Sequence, residues 1–124
     1  MRIINNYLVK QYEKKEKIEV EVPGSKSITN RALMMAALSN GVCRLKGVLF
    51  SDDSRAFLSC LTELGFDVAI NEEIKEVTIH GLGGRSPNRN AHINVRSAGT
   101  AARFLTAMLA FAGGDYVLDS SEQM

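Results

Sequence analysis

Pro23-Gly24-Ser25-Lys26-Ser27-Ile28-Thr29-Asn30-Arg31 joins a strand pattern to a helix pattern. Ahead of it, Ile18 to Val22 alternates as I-E-V-E-V, the period of a strand with one face turned inward. Pro23-Gly24 interrupts that alternation. Behind it, Ser27 is expected to cap a helix running to about Ser39, which Asn40-Gly41 closes with Gly41 in the left-handed position. A strand-to-helix turn leaves backbone N–H groups unpaired at the helix start, where the dipole favours negative charge. Ser25, Ser27 and Thr29 add hydroxyls, Lys26 adds a point charge, and Arg31 can return its planar fork to the same place. The spacing is not that of a P-loop. An anion site and an ordinary capped helix with solvated charges both fit these residues.

Outward from this turn, Val42 to Phe50 reads as a strand. Asp52 or Asp53 is expected to cap a second helix with Phe57, Leu58, Leu61 and Leu64 on one face, ended by Gly65. Phe66 to Ile70 and Glu76 to His80 read as strands joined at Asn71-Glu72-Glu73. Gly81 to Asn90 reads as a loop and His92 to Val95 as a short strand. Gly99-Thr100 opens a third helix to about Ala112 with Leu105, Met108, Leu109 and Ala112 as its apolar stripe. Gly113-Gly114 stops it, and Tyr116 to Leu118 begins another strand. The sequence thus runs twice through strand, small-residue turn, helix with an arginine in its first turn, glycine stop and strand. Arg31 to Gly41 and Arg103 to Gly113 are the same ten-residue step. The pattern predicts an α/β (α+β) domain of pseudo-repeated units.

The second copy carries its own small-residue turn, Arg96-Ser97-Ala98-Gly99-Thr100-Ala101-Ala102-Arg103. Small side chains let a ligand approach the backbone, and Arg103 stands where Arg31 stands in the first copy. Close helix packing explains the same residues without a ligand. Ser51-Asp52-Asp53-Ser54-Arg55 reads first as a cap, although an aspartate there could orient a lysine or a ligand hydroxyl.

Composition narrows the alternatives. The chain has 124 residues, enough for one domain. Lys+Arg is 15 against 14 Asp+Glu, a formal charge of +1, which lacks the basic excess of a nucleic-acid binder. Any bound anion must therefore meet a local cluster of cations. Cys43 and Cys60 have no metal-ligand or redox spacing and are expected as reduced, half-buried thiols. His80 and His92 lack metal-ligand partners in sequence. Lysines interrupt any apolar N-terminal segment and no apolar run reaches membrane-spanning length, so the expected setting is cytoplasmic, without membrane contact.

Pro23-Gly24-Ser25-Lys26-Ser27 with Asn30-Arg31-Ala32 resembles the first signature of the enolpyruvyl transferases of the shikimate pathway, and Ser97-Ala98-Gly99-Thr100-Ala101-Ala102-Arg103 resembles their second. Ser51-Asp52-Asp53 resembles a shorter stretch between them. The resemblance extends from about Ile18 onward. It implies a two-domain enzyme of βαβαββ units with its site in the cleft between domains. Residues 1–22 would then be an N-terminal strand region, and residues 23–124 a partial domain of about one and a half units. It implies transfer of the enolpyruvyl group from phosphoenolpyruvate to shikimate 3-phosphate, with no metal or organic cofactor, by a monomeric enzyme. A piece of that enzyme is expected to be inactive alone and to self-associate through open sheet edges.

By the same resemblance, Lys26 touches both substrates, with Asp53 as its partner. Ser27 and Arg31 bind shikimate 3-phosphate. Ser97, Gly99 and Thr100 line the phosphoenolpyruvate side, with Arg103 supporting their loop. Ser97 stands where the family usually has Asn and Gln123 where many members have Arg, departures that bear on phosphoenolpyruvate and on mimics such as glyphosate. Two other readings compete. One is the sister enzyme that transfers enolpyruvyl to UDP-N-acetylglucosamine, whose first signature typically carries Lys-Asn where this chain has Lys26-Ser27. The other is an anion-binding domain without catalysis.

Overall fold

A computed structural model describes residues 19–123, together with residues 5, 6, 8, 10 and 17. The elements run α1 (Lys26–Leu38), β1 (Asn40–Lys46), α2 (Asp52–Glu63), β2 (Val68–Asn71), β3 (Glu76–Leu82), β4 (Asn90–Asn94), α3 (Gly99–Ala112) and β5 (Asp115–Asp119). The mixed α/β class follows. From α1 the order is αβαββ, and then βαβ opens a second unit. The expected opening strand is not formed: Glu19 to Val22 belong to no strand, and Ile18 lies outside the described residues. Alternation alone makes an extended segment, whereas a strand needs a neighbour to take its backbone bonds. Val20 and Val22 are accordingly exposed.

The two sheets differ in kind. β1, β3 and β2 form an antiparallel sheet in that order, with Asn40 opposite Leu82 and Asn71 opposite Glu76. β4 and β5 are parallel, joined through α3, with Asn90 opposite Asp115. Among the described residues, no helix is long and apolar enough to cross a membrane.

Local chemistry explains several shifted boundaries. Ser25, not Ser27, caps α1: its backbone is extended and its side chain accepts from the Ile28 N–H at 3.3 Å. At the other end Ser39 closes the helix, so Asn40 and Gly41 already lie in β1 rather than at a helix stop. In α2 the cap is Ser51. Its hydroxyl accepts from the Ser54 N–H at 3.3 Å, while Ser54 Oγ accepts from the Ser51 N–H at 2.8 Å. Asp52 and Asp53 therefore occupy the first turn of α2, where the dipole favours them and where neither is consumed in capping. β1 stops at Lys46 instead of continuing to Phe50, because Gly47 turns with φ +72.

One core holds the helices on the sheets. Leu33, Phe57, Leu58, Leu61, Leu64, Val77, Ile79, Ile93, Val95 and Leu105 are at most 1 % exposed. α1 lies on β3 and beside α2, while α2 also meets α3 and β4. Close approach of α1 to β3 requires Gly81. A Cβ there would stand 2.2 Å from the Ser39 carbonyl oxygen and 2.4 Å from that of Ala36. The result brings the N-terminal turns of α1, α2 and α3 to one region of the molecule.

Candidate functional site

Each of those three turns contributes polar groups. Lys26, Ser27, Asn30 and Arg31 of α1 face Thr100 and Phe104 of α3 across a cleft of about 300 Å3. Helical spacing accounts for the α1 set: Lys26 and Asn30, like Ser27 and Arg31, are four residues apart and share a face. A second cleft of about 230 Å3 is lined by Asp52, Asp53, Arg55, Arg96, Ser97 and Ala98. Lys26 and Asp53 join the two, with Nζ 2.5 Å from Oδ2. The aspartate is the more buried partner, its side chain 19 % exposed against 57 % for the lysine. That pairing fixes the ammonium at the lip of the first cleft without sealing it from solvent.

Backbone constraints hold the turns. Gly24 sits where a Cβ would be 2.5 Å from the Gly47 carbonyl oxygen, so the approach to α1 presses on the segment leaving β1. Thr29 Oγ1 accepts from the Leu49 N–H at 3.2 Å and ties α1 to the same segment. On the α3 side, Arg96 adopts φ +55, a conformation that costs any residue with a Cβ and is uncommon outside glycine. It is held by its N–H donating to Asn94 Oδ1 at 2.8 Å and its carbonyl accepting from the Ser121 N–H at 2.9 Å. Ser97 Oγ lies 2.5 Å from Ser121 Oγ.

The expected site residues divide accordingly. Lys26, Ser27, Arg31 and Thr100 share the first cleft, while Asp53 and Ser97 share the second. Gly99 and Arg103 line neither, and Arg103 is exposed. A Cβ on Gly99 would meet nothing within 4 Å, so the surface at the α3 start is open. Arg31 and Arg103 fall in the second turns of their helices rather than the first.

Among the lining residues, Asn30, Phe104, Arg55 and Arg96 carry no assigned role in the sequence reading. Asn30 and Phe104 had a legible signal, each lying four residues beyond a motif residue on the same helix face, Lys26 and Thr100 respectively. Arg96 had none, because nothing in the order of residues announces a left-handed backbone. Neither thiol is a nucleophile candidate. Cys60 is fully buried, not half-buried as expected, and burial pushes its pKa up to about 11 while its Sγ donates to the Asn94 carbonyl at 3.3 Å. Cys43 is half-buried beside Ser39 Oγ at 3.2 Å. Among the described residues no group of three or more His, Cys, Asp or Glu side chains is placed to hold a metal ion.

Chemically, the first cleft offers two cations, two hydroxyls and the starts of two helices, an arrangement for an anion that also carries hydroxyl or carboxylate groups. Residues 11–124 match the family described as EPSP synthase (3-phosphoshikimate 1-carboxyvinyltransferase). The 3-phosphoshikimate 1-carboxyvinyltransferase of Trichormus variabilis is 47% identical over 105 residues, covering 85% of this chain and 25% of its own. That of Neisseria meningitidis is also 47% identical over 105 residues, covering 85% of this chain and 24% of its own. The solved EPSP synthase of Acinetobacter baumannii superposes with a TM-score of 0.66 at 31% identity, over 73% of this chain and 20% of its own. The chain spans about a quarter of the length of the curated relatives it matches. On sequence and on fold, this chain belongs to the EPSP synthase family.

Proposed function

We propose that this chain supplies part of the site of a cytoplasmic 3-phosphoshikimate 1-carboxyvinyltransferase. The observation that carries the proposal is the single cleft shared by Lys26, Ser27 and Arg31 of the first signature and Thr100 of the second. Both substrates of that reaction are multiply anionic, and clustered cations with helix N-termini offset their mutual repulsion. In the reaction, C3 of phosphoenolpyruvate gains a proton as a ring hydroxyl of shikimate 3-phosphate loses its own and its oxygen bonds to C2. Phosphate then leaves C2 as C3 gives up a proton. Lys26 stands between the substrates, oriented by Asp53. Ser27 and Arg31 hold shikimate 3-phosphate. Ser97, Gly99 and Thr100 receive phosphoenolpyruvate at the α3 start, and Arg103 supports their turn. Holding two reactants in one cleft replaces a bimolecular encounter with a positioned one.

The test is an amide NMR titration of the chain with shikimate 3-phosphate, with UDP-N-acetylglucosamine as control. Shifts confined to Ser25–Arg31 and seen only with shikimate 3-phosphate support the reading, and Lys26→Ala abolishes them. Shifts with the UDP-sugar instead, or with neither ligand, remove it.

A further inference from the structure

Asn30 is 1 % exposed, and its side-chain carbonyl oxygen has no hydrogen-bond partner. It is the one such side-chain atom among the described residues. Buried carbonyls left unpaired are rare because nothing replaces the water they lost. This oxygen is closed to bulk solvent, and unpaired protein N–H groups are candidate donors to it.

The complementary deficit lies across the cleft. α3 starts at Ala98 with no side-chain cap. The first four N–H groups of a helix have no partner within it, and among the described residues those of Thr100 and Ala101 find no other acceptor. Thr100 and Asn30 line the same cleft. Lys26, Arg31 and the positive starts of α1 and α3 also converge there.

We propose that Asn30 caps α3 from the neighbouring helix. An anion in the cleft neutralises the converging positive charge, the α3 start moves in, and Asn30 Oδ1 accepts a hydrogen bond from Thr100. Asn30 is thus a positioning residue. It sets the distance between the α1 cations and the α3 start, and so the spacing at which two substrates are held. The inference deepens the function proposed above and rests on it only for the identity of the anion.

Amide hydrogen exchange at Thr100, read by NMR on the chain with and without saturating inorganic phosphate, tests it. Phosphate is expected to slow Thr100 exchange about tenfold, the equivalent of one ordinary hydrogen bond. In Asn30→Ala that slowing disappears while the shifts at Ser27 and Arg31 persist. Asn30→Asp, which keeps an acceptor of the same length, restores it, and a structural role alone would not produce that rescue. Unchanged exchange at Thr100 in the parent chain overturns the proposal without recourse to any variant, as does full slowing in Asn30→Ala. A parallel titration with shikimate 3-phosphate separates the two readings. If phosphate engages Thr100 but shikimate 3-phosphate does not bind, the cap stands and the substrate assignment falls. If shikimate 3-phosphate shifts Ser25–Arg31 without protecting Thr100, the cap falls and the substrate assignment stands.

Discussion

Replacing Gly24 by alanine should unseat the first signature turn, whereas the same change at Gly99 should not. The Gly24 Cβ would lie 2.5 Å from the Gly47 carbonyl oxygen, 3.3 Å from the Leu49 nitrogen and 3.5 Å from the Leu49 Cβ. Cβ contacts below 3.0 Å essentially do not occur, so the chains must part by about 0.5 Å. Neither side yields easily. The Leu49 N–H is bonded to Thr29 Oγ1 of α1, and Ser25, the next residue, caps the helix. Overpacking of this kind costs about 1–3 kcal/mol. Alanine recovers about 0.4–1 kcal/mol by restricting the unfolded chain. With backbone against backbone, the net expectation is a loss of about 2 kcal/mol, or a fall in Tm of about 6–12 °C for a domain of this size. At Gly99 the added Cβ meets nothing within 4 Å and the residue is helical, so alanine should gain about 0.5–1 kcal/mol. Thermal unfolding followed by circular dichroism, with urea midpoints as a check, measures both. Equal stability of Gly24→Ala and the parent, or equal losses at the two glycines, would refute the assignment of Gly24 to a close chain crossing.

Three further outcomes follow from the geometry. Arg96→Gly should raise stability by about 0.5–1 kcal/mol in urea denaturation, because glycine adopts φ +55 without the left-handed penalty and outweighs its greater unfolded entropy. Phe57→Ala, at a position with 0% exposure, should cost about 3–5 kcal/mol by the same assay. With its pKa raised from 9.0 to about 11, Cys60 is thiolate in only about one molecule in a thousand at pH 8, so a thiol reagent should label Cys43 far sooner. The raised value also means that burial of the neutral thiol stabilises the fold below about pH 9 and that this contribution fades as pH climbs towards about 11. Cys60→Ala should lack that alkaline loss, measured as the difference between the two pH profiles.

The helices were legible because their apolar faces recur at helical spacing and their ends carry serine or glycine. Leu105, Met108 and Leu109 are buried as their spacing requires. The capping residues were less so. Ser25, Ser27 and Thr29 offer three hydroxyls within five residues, and the local pattern does not decide which is left extended as the cap; it is Ser25. Ser51 likewise displaces Asp52 and Asp53 as the cap of α2, through a reciprocal bond with Ser54 that neither aspartate can form from its own position. The segment before Pro23 shows the limit of period-two reading, since alternation does not supply a partner strand. In the site, charge and hydroxyl content marked Lys26, Arg31 and Thr100. Asn30 passed as an ordinary polar helix residue because its burial comes from tertiary packing, which no local pattern encodes.

The place of β3 between β1 and β2 has a consequence during synthesis on the ribosome. β1 is translated well before its partner: Lys46 awaits Glu76, and Asn40 awaits Leu82. At about 5–20 residues per second, that interval lasts about 2–8 s. Until it ends, β1 and β2 have no common neighbour, and each offers both of its edges to any other nascent chain. The outward side chains of β1 include Arg44 and Lys46, whose charge opposes such pairing, and Arg44 turns to the Glu76 carboxylate at 2.7 Å once β3 arrives. The same arginine thus guards an open strand early in the life of the chain and clasps its proper neighbour later.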